Sequence, residues 1–267
     1  MALAVDENPT FLASLGVQRR VLAFLFMREL LTRYGRHNIG FLWLFFEPMI
    51  FTLGITALWT ATKAVHGNDV PIVAFALTGY SSVLLWRNMP GRCIGALYNN
   101  LSLLYHLNIK VLDIYLARLM LEFGGATISF SVLSVVFISL GWVEPPKDLL
   151  EVVGGWFIIA WFGGALAIWL GALSHDNELV DKIWHPASYL IFPLSGAAFM
   201  VDALPKLAQK VVLFIPMVHG VEIVREGYFG KHAHAHYDLS YVLPLCLVTS
   251  VFAMLEVRKL ANHVVPE

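Results

Sequence analysis

Charge is scarce in this 267-residue chain. Only 14% of its residues are Asp, Glu, Lys or Arg, where a soluble domain carries about 25%. The two signs nearly cancel, 18 basic against 19 acidic, which leaves no electrostatic footprint for nucleic acid. Cysteine is scarcer still. Cys93 and Cys246 each stand alone in an apolar run, which excludes a disulfide framework or a zinc knuckle. Catalytic signatures are missing as well: there is no GxxxxGK[ST] phosphate loop, no GxGxxG, no HExxH and no GxSxG. Any energy the protein uses is therefore expected to come from a partner or an ion gradient. The opening, MALAVDENPT, has two acids and no basic residue. It does not read as a cleavable signal peptide, and insertion is expected to use later apolar spans.

What the chain has in excess is apolar surface, 58% of its residues at a mean hydropathy of +0.69. Disorder is excluded, and a polytopic membrane protein is indicated. A bilayer core about 30 Å thick needs roughly 20 apolar residues of helix. Six segments meet or approach that: 39–61, 70–86, 119–143, 152–174, 183–201 and 239–255. An even number puts both termini on one side. With the termini cytoplasmic, twelve Lys and Arg fall on inner regions (Arg19, Arg20, Arg28, Arg33, Arg36, Arg87, Arg92, Lys110, Arg118, Lys182, Arg258, Lys259). Six fall outside: Lys63, Lys147, Lys206, Lys210, Arg225 and Lys231. The positive-inside rule selects this orientation.

Two segments flank the spans without crossing. Residues 17–37 contain an amphipathic helix. Phe24, Met27, Leu30, Leu31 and Tyr34 share one arc, and Arg28, Glu29, Thr32, Arg33 and Arg36 the opposite one, as in a helix lying in the cytoplasmic leaflet. A plain anchor to anionic lipid fits the same pattern. Residues 202–237 hold an apolar core broken by Pro216 and Gly220 and too short to cross. A re-entrant pair of helices on the outer side is expected, since irregular backbone at that depth must be buried in protein or line a wet cavity.

Within the spans the polar residues are few. Glu47 precedes Pro48, and Glu122 follows Arg118 by four residues, the spacing of a pair on one helix face. Both read as either structural ion pairs or functional groups. Tryptophans near span ends (Trp59, Trp86, Trp142, Trp184) suit an interface belt. Aromatic faces can also guide a sugar chain, although lipid-facing or packing roles suit them equally. His232, His234 and His236 alternate in HAHAH, but no carboxylate or cysteine set accompanies them and no metal is assigned. Residues 99–110, NNLSLLYHLNIK, are too polar to cross and too apolar for a free loop. They read as an interfacial helix, or as a segment seating Leu103, Leu104, Leu107 and Ile109 in a partner's groove.

Three stretches resemble a known family. RELLTRYGRHNIGFLWLFFEPM (Arg28–Met49) resembles the opening of ABC-2 type polysaccharide-export permeases. NLSLLYHLNIKVLDIYLARLMLE (Asn100–Glu122) is similar to their cytoplasmic coupling segment and third-span start, and PMVHGVEIVREGYFG (Pro216–Gly230) to their outer re-entrant segment. Where the family usually carries Asn before that proline, this chain has Ile215. The motifs lie in order, the likeness covers essentially the whole chain, and the closest branch is the permease of Gram-negative capsular polysaccharide exporters.

The resemblance implies an all-α integral membrane protein, a single domain over 1–267, working as a non-catalytic subunit. It would bind no cofactor itself, with ATP and Mg on a separate ATPase subunit. Two copies would pair with two ATPase subunits, and a periplasmic adaptor and an outer-membrane channel would carry the lipid-linked polysaccharide onward. The coupling residues would be Asn99, Asn100, Leu103, Leu104, Tyr105, His106, Leu107, Ile109 and Lys110. Arg28, Arg33, Tyr34, Arg36, Arg87 and Arg92 would attract the anionic head group at the inner leaflet, because the planar guanidinium fork suits phosphate. Pro216, His219, Glu222 and Arg225 would form a periplasmic gate. Within the same class, an exporter of O-antigen, teichoic acid or a small amphiphile has the same span pattern. An ion-coupled carrier or membrane transferase would need catalytic polar groups in the spans or a midplane inverted repeat, and neither is seen.

Overall fold

The computed structural model describes residues 11–34, 38–62, 70–106 and 109–264, and among these it is helical without a strand. The helices are α1 (Phe11–Tyr34), α2 (Asn38–Thr62), α3 (Ile72–Cys93), α4 (Leu101–His106), α5 (Val111–Ser139), α6 (Leu149–Asp176), α7 (Leu179–Leu194), α8 (Lys206–Val212), α9 (Pro216–Phe229) and α10 (Leu239–Val264). Among the described residues α5, α6 and α10 are each long and apolar enough to cross a membrane, and α8 with α9 makes a fourth candidate bent by 108°.

α6 lies against α3, α9 and α10, and its small residues allow this crowding. A Cβ on Gly155 would stand 2.7 Å from the Val224 backbone nitrogen and 2.8 Å from the Gly220 carbonyl. Those are backbone atoms of α9 that no rotamer can move. Close helix approach through small residues is how helices associate where lipid supplies no hydrophobic drive. The core includes Trp86, Tyr115, Phe75, Phe137 and Ile159, all nearly inaccessible.

Several helix limits differ from those expected. The segment expected as 70–86 continues to Cys93, so Arg87 and Arg92 lie within the helix and not beyond its end. That at 119–143 begins at Val111. The segment 183–201 is not one helix: α7 is 16 residues long and stops at Leu194. Ser195 caps it, and Gly196 then takes φ +86°, a left-handed turn open to glycine. α7 is thus about 24 Å long.

α1 begins earlier than expected and turns its polar side inward. Leu25 and Leu30 are buried, and Arg28, Glu29 and Arg33 are half-buried beside them. Phe24, Met27 and Leu31 stay about half exposed on the outer arc. Leu30 therefore leaves the arc it was expected to share with Phe24. Arg36 and Leu107 lie outside the described residues.

Candidate functional site

Two polar clusters occupy opposite ends of the helix bundle, inner and outer in the orientation expected from the sequence. The inner one gathers around Glu122, whose side chain is 7% exposed. It takes Arg33 from α1 as an ion-pair and hydrogen-bond partner and Arg92 Nε from α3 at 3.2 Å. Arg33 also lies 3.8 Å from Glu47 of α2, which is half exposed. Two carboxylates and two guanidiniums thus balance where four helices meet. A buried charge of this kind persists only when paired. The crevice between Arg33, Glu47, Asn88 and Glu122 is about 10 Å³, too small for a sugar in this conformation.

The expected Arg118–Glu122 pair does not form. Arg118 Nε instead meets Glu29 of α1 at 3.1 Å. Both residues do share one face of α5, but that face is covered by α1, which presents nearer opposite charges. Arg87 stacks its guanidinium 4.4 Å from the ring centroid of Tyr189 and 5.5 Å from that of Phe192, a cation–π contact joining α3 to α7.

The expected coupling segment forms a short 3-10 turn at Tyr98–Asn100 followed by α4. Asn99 lies in the turn, and Tyr105 and His106 close α4; Tyr34 closes α1. Asn100 is buried, accepts from Arg28 of α1 and donates to the Ala96 carbonyl at 2.8 Å. At the other end Asp113 accepts from the Lys110 backbone N–H at 3.1 Å and from Gln18 of α1. The Tyr98 hydroxyl donates to the His175 carbonyl at 2.7 Å, at the end of α6. Leu104 and Ile109 are buried in the chain's own core, and Leu103 is half-buried against it. These three residues therefore seat the segment on its own bundle, and among the described side chains Tyr98, Ser102 and Lys110 are exposed to a partner.

The outer cluster is built on α9, which Pro216 opens at its first turn, where a missing N–H costs nothing. Glu222 is fully buried and accepts from the backbone of Val201 at 3.3 Å and of His236 at 3.0 Å. Arg225, also fully buried, donates to the carbonyls of Ala197 at 3.0 Å and Phe199 at 2.5 Å. It lies 3.8 Å from Glu222 and 4.0 Å over the Phe75 ring. His219 Nδ1 accepts from the Asp238 backbone N–H at 2.9 Å. Its Nε2 must then carry the proton and donate to the Leu213 carbonyl, 2.8 Å away. Together the three side chains clasp the turn after α7, the α8–α9 corner and the start of α10. His236 Nε2 meets Asp202 Oδ1 at 3.1 Å across the same seam. In the loop before α10, a hydrogen bond to Glu226 pushes the Tyr237 phenol up to about 12.

The family profile described as ABC-2 type transporter matches residues 20–229. The chain belongs to the ABC-2 type transporter family. The matched stretch runs from the inner cluster through the outer clasp. Full-length relatives include the capsule polysaccharide export inner-membrane protein CtrC of Neisseria meningitidis serogroup B, 42% identical over 98% of each chain. The capsule polysaccharide export inner-membrane protein BexB of Haemophilus influenzae is 38% identical over the same shares. The polysialic acid transport protein KpsM of Escherichia coli is more distant, 22% identical over 87% of this chain and 90% of its own.

In this ABC-2 chain, sequence reasoning missed Gln18, Asp113, Asp202 and Asp238, and it weighed His236 only as a metal ligand. Asp113 had a local signal, three residues after Lys110, where a carboxylate reaches back to the helix's first free N–H. The others act across sequence gaps of 14 to 95 residues, which no local pattern reports.

Proposed function

We propose that this chain is the inner-membrane permease subunit of an ATP-driven exporter of capsular polysaccharide. One observation carries the reading: full-length likeness to capsule export inner-membrane proteins, at 42% and 38% identity. The absence of any phosphate-loop motif in the sequence agrees with it. ATP and Mg belong to a partner ATPase, and this chain is a non-catalytic wall. Two copies form the conduit with two ATPase subunits, and a periplasmic adaptor and outer-membrane channel continue the path.

In this reading the chain crosses the membrane six times with both termini cytoplasmic. α1 lies in the inner leaflet, which its outward arc of Phe24, Met27 and Leu31 supports. The 99–110 segment takes up ATPase closure. Its ties to α1 through Asn100 and Asp113, and to α6 through Tyr98, are the routes by which force spreads. The lipid-linked end of the glycan is drawn by the inner arginines. Arg92, 41% exposed, is directly accessible, and Arg33 is reached by exchanging Glu122 for the head group. The clasp of His219, Glu222 and Arg225 sets the shape of the periplasmic gate.

The test is affinity purification of the tagged chain from its native membrane, with mass spectrometry of what accompanies it. An ATPase subunit and a glycolipid should co-purify. A chain that brings down neither, in a preparation that keeps other transporters assembled, contradicts the reading.

A further inference from the structure

The corner between α7 and α9 carries a surface that the export reading does not use. α8 is seven residues long, and its inner side packs on the chain, with Val212 buried and Ala208 and Gln209 partly covered. Val212 packs with Val201 and Val218 in a small core of its own, and Gln209 Nε2 donates to the Leu204 carbonyl at 2.9 Å. The other side is bare. Leu207 is 77% exposed, Val211 59% and, one turn on, Phe214 72%. Lys206 and Lys210 are exposed too. At about 100° per residue the two lysines fall on one margin of this outer arc and Leu207 and Val211 on the other. That is a division into a cationic rim and an apolar rim, not a mixed solvated face.

The depth of this corner is fixed by its neighbours. The Tyr241 hydroxyl, in the first turn of α10, donates to the Phe214 carbonyl at 2.9 Å. Phe214 therefore sits level with the beginning of a helix apolar enough to span. Asp202 and His236, both partly exposed, close the same seam. An amphipathic element at the rim of a span, apolar on one margin and lysine on the other, fits a lipid surface. Apolar side chains dip into the acyl boundary, and ammonium groups reach the phosphates.

We infer that α8 lies in the plane of the membrane at the level where α10 begins. Leu207, Val211 and Phe214 are seated in lipid there, and Lys206 and Lys210 bind anionic head groups. The inference rests on the reading of the chain as a membrane permease, though not on its cargo. It makes the lipid of that leaflet a partner that holds the bent α8–α9 segment at a set depth. Anionic lipid is favoured over neutral lipid because the two lysines of this arc face no carboxylate on α8 itself.

The experiment uses the full chain with Leu207→Cys, spin-labelled and reconstituted in vesicles of phosphatidylcholine with phosphatidylglycerol. Cys93 and Cys246 are inaccessible, so the label goes to the new thiol. Leu247→Cys, 54% exposed within α10, is the reference for lipid. Collision with oxygen should exceed collision with a nickel chelate several-fold at both positions. Nickel winning at 207 while 247 reads as lipid overturns the inference and puts α8 in water. Both collision agents excluded at 207 also overturns it, because a second copy or an adaptor protein then covers the helix. Nickel winning at 247 contradicts the permease reading itself.

A second arm removes phosphatidylglycerol. The label at 207 should shift toward water in pure phosphatidylcholine, and Lys206→Gln with Lys210→Gln should abolish the difference between the vesicles. Equal depth in both vesicles with the lysines present overturns the role given to them. Val211→Cys repeats the measurement should the first variant assemble poorly.

Discussion

Glu122 is the residue on which the inner cluster turns. Its carboxylate pairs with both Arg33 and Arg92, so Glu122→Gln leaves two cations close together with Glu47 the one carboxylate of the cluster. Removing one partner of a buried pair costs about 3 kcal/mol or more. The variant should melt well below the parent in detergent and export little. Replacing Glu122 and Arg33 together by Met should recover part of the melting temperature, because the two charges that remain, Arg92 and Glu47, are opposite in sign and 41% and 49% exposed. Arg225 offers a second test. Its fork spans two carbonyls, and lysine delivers a point charge in its place. Arg225→Lys should cost about 2 kcal/mol, read as a lowered melting temperature with net charge unchanged. At this scale the sequence reveals which residues are out of place but not their partners. Glu122 is conspicuous in an apolar span, yet its nearest local cation, Arg118, is not its partner. Its partners, Arg33 and Arg92, lie on two other helices, Arg33 89 residues away.

Among the helices, existence was easier to read than extent. A hydropathy reading stops at charge, so it ended the second span before Arg87 and began the third after Arg118. Both helices run through those charges because other elements engage them. Tyr189 and Phe192 take Arg87, and Glu29 takes Arg118. α7 fails in the opposite sense, since an apolar run through Pro193 and Gly196 looks continuous while the backbone turns. The α6–α9 contact was not legible at all, because glycines announce close approach only once the neighbour is known. It yields a sharp prediction. Gly155→Ala drives a methyl into backbone atoms of Val224 and Gly220 and should destabilise by about 1–3 kcal/mol. Gly16→Ala, with nothing within 4 Å, should not lower the melting temperature and should raise it slightly, since alanine in a helix is favoured over glycine by about 1 kcal/mol.

For the molecule as a whole, the family and the export class were legible from three motifs in order, and the helical architecture followed from composition. What composition does not carry is the tie between α1 and the 99–110 segment, which depends on tertiary contact. Tags on the two termini should be reached from the same side of the membrane by an impermeant reagent, and opposite accessibility contradicts six crossings. The central claim is that a motorless chain forms the conduit for a glycan driven by another subunit. The most direct measurement is ATP-dependent uptake of lipid-linked capsular polysaccharide into inside-out vesicles. Uptake should require this chain, its ATPase partner and ATP together. Undiminished uptake without this chain, or ATP hydrolysis by the chain purified alone, contradicts the account.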